Sequence, residues 1–178
     1  MSLRTVVSII WGIFWIYWLV AAIGAKEGTR SRRIRFPGLL IVVTVVVDRI
    51  FARNGLTTHS LILQIVGMVL FLSGLGLAVW ARIYLGRNWG MPMTRKDEPE
   101  LVTSGPYRYV RHPIYSGLLL AILGTAVATN VYWLIALAVM AIYFIYSARV
   151  EERLMTSAFP STYPGYRERT KMLIPFVL

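Results

Sequence analysis

The chain contains no cysteine, so disulfides, thiolate metal ligands and cysteine nucleophiles are excluded from the start. Two histidines without cysteine make a protein-built zinc site a poor expectation. Charge is scarce as well: 15% of the 178 residues are charged, where a soluble domain usually has about a quarter. Acidic residues number 8 against 19 Lys and Arg, for a net charge of +11. What fills the space is apolar: 57% hydrophobic residues and a mean hydropathy of +0.61. Disorder, a nucleic-acid-binding tail and an ordinary water-soluble globule are thereby set aside, and an integral membrane protein is expected.

A helix crosses the hydrocarbon core with about 20 apolar residues. Five segments qualify as spans: 6–25, 36–52, 61–84, 114–129 and 131–147. The first is too long and too aromatic for a signal-peptide core, with Trp11, Trp15, Tyr17 and Trp18. The last two are separated by Asn130 alone, which reads as a tight helical hairpin. Arg82, at the end of the third span, is expected to snorkel. Lys and Arg cluster in 26–35 (five), 82–112 (six) and from 148 onward (five). With five spans these segments share one side, which the positive-inside rule makes cytoplasmic, with the N-terminus outside. The expected fold class is an all-α integral membrane protein: five transmembrane helices and a cytosolic cap of segments 26–35, 85–112 and 148–178, in one domain, 1–178.

The span interiors hold almost no ionisable groups, which disfavours a transporter. Polar chemistry gathers at the cytosolic face in two patches. In Leu101–Gly117, Gly105-Pro106 signals a turn, and His112-Pro113 starts the fourth span. A helix N-terminus there favours an anionic ligand group. An interfacial belt of Tyr107, Arg108, Tyr109, Arg111 and Tyr115 is the plainer reading of the same residues. The second patch is Arg149-Val-Glu-Glu-Arg153. Its carboxylates could pair with Arg149 and Arg153 or could hold a cationic ligand. A tight hairpin brings both patches together, making a cleft suited to a zwitterion. Ser73-Gly-Leu-Gly76 reads as a helix-packing notch, and His59 as a solvated loop residue.

Taken together, Leu101-Val-Thr-Ser-Gly-Pro-Tyr107, Arg111-His-Pro-Ile-Tyr115, the hydrophobic hairpin, Glu151-Glu152, then Phe159, Tyr163, Tyr166 and Leu173-Ile-Pro175 resemble the isoprenylcysteine carboxyl methyltransferase family and the related membrane phospholipid methyltransferases. The resemblance covers about the last 95 residues. It implies a membrane methyltransferase using S-adenosylmethionine at the cytosolic face, with a small lipophilic acceptor entering from the bilayer and neither nucleic acid nor metal as partner. Carried over by position, the cofactor site would include Glu100, Leu101, Val102, Tyr107, His112, Pro113, Ile114, Tyr115 and Glu151. For an acceptor carboxylate, Arg149 or Arg153 is the expected orienting cation, and for an amine Glu152 is the expected base. The family's histidine before Glu-Leu-Val is Pro99 here, and its substrate-binding arginine falls at Ser147. These departures support the alternative of a non-enzymatic membrane assembly or sensor protein on the same scaffold. Compactness points to a bacterial inner membrane.

Overall fold

A computed structural model describes residues 1–22, 28–30, 57–89, 94–96 and 100–175. Among them are five helices: α1 (Leu3–Ala22), α2 (Leu61–Leu85), α3 (Pro113–Ala128), α4 (Trp133–Ala158) and α5 (Tyr163–Arg169). A two-stranded antiparallel ribbon pairs β1 (Gly28–Arg30) with β2 (Thr94–Lys96). The expected second span, 36–52, lies outside the described residues. So does most of the 26–35 segment.

Among the described residues three helices are long and apolar enough to cross a membrane: α1, α2 and α4. The protein is an integral membrane protein with several spanning helices. The exposed side chains of α1 (Ile9, Ile13, Ile16, Leu19, Val20) and α2 (Ile62, Ile65, Val69, Leu72) are apolar, the surface that lipid solvates. At 16 residues, α3 is about 24 Å long, short of the roughly 30 Å hydrocarbon core. It is also the most enclosed helix, with eleven buried residues.

The seam between α2 and α3 explains that burial. The two helices run antiparallel, and glycine faces backbone at each crossing. A Cβ on Gly124 would meet Phe71 N at 2.2 Å, and one on Gly74 would meet Ala121 N at 2.4 Å. Gly67 and Gly117 are as tightly held, against Ala128 and against Gly74 and Ala78. In lipid no hydrophobic force separates helix from solvent, so such close backbone approach is a main source of association. Gly74 is thus the packing notch expected from Ser73–Gly76, while Gly76 faces open space. The aromatic residues of α1 fill the next layer. Trp11 packs on Phe71 and donates from Nε1 to Thr125 Oγ1 at 3.2 Å. Trp18 meets Trp89 edge-on.

The α3–α4 turn is short. Asn130 organises it by accepting at Oδ1 from Tyr132 N (2.9 Å) and at its carbonyl from Trp133 N (3.2 Å). Asn130 also bridges to Thr57, at the end of the bundle where α2 begins. The exposed His59 there bonds Thr57 Oγ1 at 2.9 Å.

Two expectations change. First, α4 does not stop at residue 147 but runs unbroken to Ala158. Residues 148–158 contain no Gly or Pro, and Glu, Arg, Leu and Met are strong helix formers. The Glu-Glu pair therefore stands on the helix, not in a separate cap. Second, Arg82 does not snorkel. It is 5% exposed, donating to Gly86 O (2.7 Å) and Ala21 O (2.5 Å) and lying 4.7 Å from the centre of the Trp89 ring.

Candidate active site

The site forms where the hairpin's open ends meet. The 3-10 turn Gly105–Arg108 delivers Tyr107 to the interior. Gly105 adopts φ +56° and lies so close to the Tyr84 ring that a Cβ would meet it at 2.4 Å, which demands glycine on both counts. His112 follows as the N-cap of α3, with Pro113 in the first turn.

His112 lies between the two carboxylates. Its Nδ1 is 3.5 Å from Glu151 Oε2, and its Nε2 is 3.6 Å from Glu152 Oε1. Tyr115 is stacked between the His112 ring (5.4 Å) and Phe144 (4.4 Å), and its hydroxyl donates to Glu151 Oε1 at 2.5 Å. Consecutive residues on a helix point about 100° apart. Both glutamates reach His112 because its ring sits in the gap between them.

The two carboxylates differ in what surrounds them. The Glu152 side chain is 8% exposed and receives Arg111 Nε at 2.6 Å and Arg167 Nε at 3.5 Å. Glu151 is 24% exposed, and its contacts include the Tyr115 hydroxyl and His112 Nδ1. Arg149 and Arg153 are both exposed. The arginines that pair with Glu152 are thus Arg111 and Arg167, distant in sequence, and not the flanking Arg149 and Arg153. Among the described residues Arg149 joins none of the cluster's ion pairs.

The C-terminal segment locks this arrangement. Arg111 N donates to Lys171 O (2.8 Å) and His112 N to Met172 O (3.1 Å), a parallel bridge alongside Val110. Arg111 also donates to Arg167 O (3.1 Å) and Thr170 O. Ser116 Oγ donates to Leu173 O at 2.5 Å, and Tyr166 Oη to Tyr107 O at 2.6 Å. Residues 163–173 thus fasten the Arg-His-Pro segment from above.

Burial on its own would lower the His112 pKa. Its contacts with Glu151 and Glu152 outweigh that, and the net shift is upward from 6.5. Burial raises Tyr107, reinforced by Tyr166 and Glu151 and opposed by Arg82. Burial likewise pushes Tyr166 up to about 12, so both phenols remain neutral.

Two expectations about stability follow. Arg111→Met strands the Glu152 carboxylate in a largely closed site. Breaking one partner of a buried pair costs about 3–5 kcal/mol. Thermal unfolding in detergent should show a large fall for Arg111→Met and much of it recovered in Arg111→Met/Glu152→Met. A double variant no better than the single one would refute the pairing as the cause. For His112 the folded pKa lies above the unfolded value. Its contribution is therefore complete below about pH 6.5 and lost as pH rises through the raised value. The midpoint temperature should fall on that alkaline limb, and His112→Gln should flatten it. An identical slope in the variant would assign the pH dependence elsewhere.

The other expected cofactor residues are dispersed around this cluster. Pro113 and Ile114 are buried in the first turn of α3, and Leu101 and Val102 are half-buried. Glu100 is exposed and accepts from Asn88 Nδ2 at 2.7 Å, beside the turn that ends α2. Pro99 lies outside the described residues. Ser147, one helical turn before Glu151, is fully buried, and its hydroxyl has no hydrogen-bond partner among the described residues. Sequence reasoning placed Arg111 in an interfacial belt and in the Arg-His-Pro segment and Arg167 in a cap on the membrane surface, and paired neither with Glu152. Neither has a local signal, because their partner is 41 residues away in one case and in the preceding helix in the other.

The model of the family "Phospholipid methyltransferase" matches residues 62–162. The cobalt-zinc-cadmium resistance protein CzcN of Cupriavidus metallidurans is 37% identical over 51% of this chain and 43% of its own length. Methanethiol S-methyltransferase 1 of Bradyrhizobium diazoefficiens is 38% identical over 44% of this chain and 27% of its own. Protein-S-isoprenylcysteine O-methyltransferase B of Arabidopsis thaliana is 32% identical over 78% of this chain and 72% of its own. The chain thus spans less than half the length of the first two. In fold it is similar to the eukaryotic intramembrane Ras methyltransferase ICMT, with a TM-score of 0.65 and 23% identity over 82% of this chain and 55% of that one. The matched residues run from α2 through the glycine seam, the Arg-His-Pro segment and the Glu-Glu pair, and the chain belongs to the phospholipid methyltransferase family of membrane proteins, which it shares with the protein-S-isoprenylcysteine O-methyltransferases.

Proposed function

We propose that the protein is an S-adenosylmethionine-dependent methyltransferase acting on a small lipophilic acceptor at the cytosolic membrane face. The observation that carries this reading is the meeting of the Arg-His-Pro segment with the Glu-Glu pair, where His112 lies between Glu151 and Glu152 and Tyr115 stacks on His112 and bonds Glu151. Bound S-adenosylmethionine supplies a methyl group on a sulfonium, activated for in-line displacement. The residues present fit it. Glu151 offers a carboxylate for an ammonium group, and the Tyr115 ring offers a face for a cation. His112 Nε2 is buried without a hydrogen-bond partner among the described residues, a polar atom available to a ligand.

Glu152 is better suited to anchoring than to proton abstraction. Two guanidinium groups at its oxygens stabilise the carboxylate and make it a weak base. With no base there, the suitable acceptor is an acid that arrives already ionised, a carboxylate, and not a protonated amine or a thiol that must first lose its proton. The name of one relative gives O-methylation of an isoprenylcysteine, in keeping with an oxygen acid, while another names methanethiol, which needs its proton removed first. Ends of the bundle support the orientation. The contact of Arg82 with Ala21, the pairing of β1 with β2, and the His112–Glu151 cluster all lie at one end, with exposed Arg108, Arg153, Arg167, Arg169 and Lys171. That end is assigned to the cytoplasm of a bacterial inner membrane.

The test is calorimetric titration of detergent-solubilised protein with S-adenosylmethionine and S-adenosylhomocysteine, followed by methyl transfer to a panel of lipophilic carboxylates, thiols and amines. Binding with turnover on an acid acceptor is expected. A folded, monodisperse protein that binds neither compound would exclude the enzymatic reading and leave the scaffold role.

A further inference from the structure

The exposed face of α4 changes chemistry along its length without changing direction. Ile135, Val139, Ile142 and Tyr146 are exposed on it. Arg149 and Arg153 are exposed too. At 100° per residue these six fall within an arc of about 80°. The buried Phe144, Ser147, Ala148 and Glu152 occupy the remaining arc. One stripe therefore runs from the apolar surface of the span straight into two arginines. Tyr146 stands at the changeover, where a ring with a polar tip suits the boundary between hydrocarbon and headgroups.

Helix rise sets the levels. Arg149 stands about 4.5 Å beyond Tyr146 along the axis, and Arg153 about 6 Å farther. Both lie at headgroup level on the lipid side of the helix. Residues four apart have Cβ atoms about 5–6 Å from each other, so both guanidinium groups can converge on one anion. Among the described residues neither guanidinium has an ion pair or a hydrogen bond, because Glu152 is taken by Arg111 and Arg167. Two planar forks at headgroup level, continuous with an apolar stripe, complement a phosphate ester that carries acyl chains.

We propose that Arg149 and Arg153 form a docking site for an anionic phospholipid, with its phosphate between the two guanidinium groups and an acyl chain along Tyr146, Ile142 and Val139. Charge favours an anionic lipid over a zwitterionic one, whose own ammonium group already offsets the phosphate. The end concerned is the one assigned above to the cytoplasm, where the membrane surface is negative. The site stands apart from the methyltransferase reading and does not need it. Its consequence for the cluster is positional. Glu151 and Glu152 fall between the two arginines in sequence, so a phosphate held there fixes the depth and rotation of the helix that carries both carboxylates.

The experiment is native mass spectrometry of the full chain in detergent, titrated with phosphatidylglycerol or with phosphatidylcholine of the same acyl chains. It reads the dissociation constant of the first bound lipid. The wild type should prefer phosphatidylglycerol by at least about 10-fold, as two basic residues at a membrane surface supply. Arg149→Gln/Arg153→Gln should lose that preference, and Arg149→Lys/Arg153→Lys should keep part of it, since charge remains without the bidentate fork. Arg169→Gln/Lys171→Gln is the control, because it removes the same charge from the same end but off the stripe, and it should keep the full preference. An equal loss in the control would reduce the effect to general surface charge and overturn the proposal. So would a wild type without preference, or a preference that survives Arg149→Gln/Arg153→Gln. If that variant then failed to bind a lipophilic carboxylate, the pair would belong to the methyl acceptor instead. Melting temperatures in detergent check folding, and the single variants Arg149→Gln and Arg153→Gln carry the comparison if the double one does not fold.

Discussion

Glu151→Gln is expected to weaken S-adenosylmethionine binding by roughly 30-fold or more while costing less stability than Glu152→Gln. The amide keeps the shape and an acceptor oxygen for the Tyr115 hydroxyl, but it removes the charge that would meet an ammonium group. Loss of one member of a desolvated charge pair costs about 2 kcal/mol or more, and the partial exposure of Glu151 places it near the lower end. Glu152→Gln should behave in the opposite way. It leaves Arg111 without its carboxylate in a site where both side chains are under 10% exposed, so the main loss is stability. Measuring affinity and melting temperature on both variants separates the roles. A Glu152→Gln protein of unchanged stability that no longer binds, beside a Glu151→Gln protein that does, would reverse the assignment.

Gly124→Leu should prevent the folded protein from accumulating. The substituted Cβ would already stand 2.2 Å from Phe71 N and 2.6 Å from Gly67 O, both backbone atoms that no side-chain rotation can move away. Relief requires α2 and α3 to separate. That would open the whole glycine seam and shift His112, which caps α3, relative to the glutamates of α4. Overpacking in a well-packed core costs about 1–3 kcal/mol, occasionally more. A backbone collision in the central helix pair belongs at the upper end. Gly76→Leu is the control, because Gly76 has nothing within 4 Å of its would-be Cβ and lies outside the seam. Monodisperse yield and melting temperature after detergent extraction give the comparison. Equal yields for the two variants would show that the seam does not hold the bundle together.

The composition and apolar run lengths were enough to read a helical membrane protein, because lipid leaves backbone polar groups no partner but their own helix. The starts of α2 and α3, the tight turn at Asn130 and the meeting of His112 with the Glu-Glu pair were legible for the same local reason. A short hairpin loop obliges its outer ends to lie together. The family was legible in the Arg-His-Pro and Glu-Glu segments, whose order and spacing survive in one dimension. The end of α4 was less so. Charged residues ended the apolar run at 147 without ending the helix, since hydropathy reports where lipid stops and not where hydrogen bonding stops.

What the tertiary structure alone decided is which charges meet. Arg149 and Arg153 stand next to the glutamates in sequence, yet Arg111 and Arg167 neutralise Glu152, because their segments fold over the end of α4. Glu151, its neighbour on the helix, meets the Tyr115 hydroxyl instead. Arg82 was expected in water and is turned inward by the carbonyl of Ala21, a residue 61 positions away. Each outcome depends on desolvation and on partners distant in sequence. A run of residues records charge and periodicity, but the surroundings that give a charge its free energy exist only once the helices are packed.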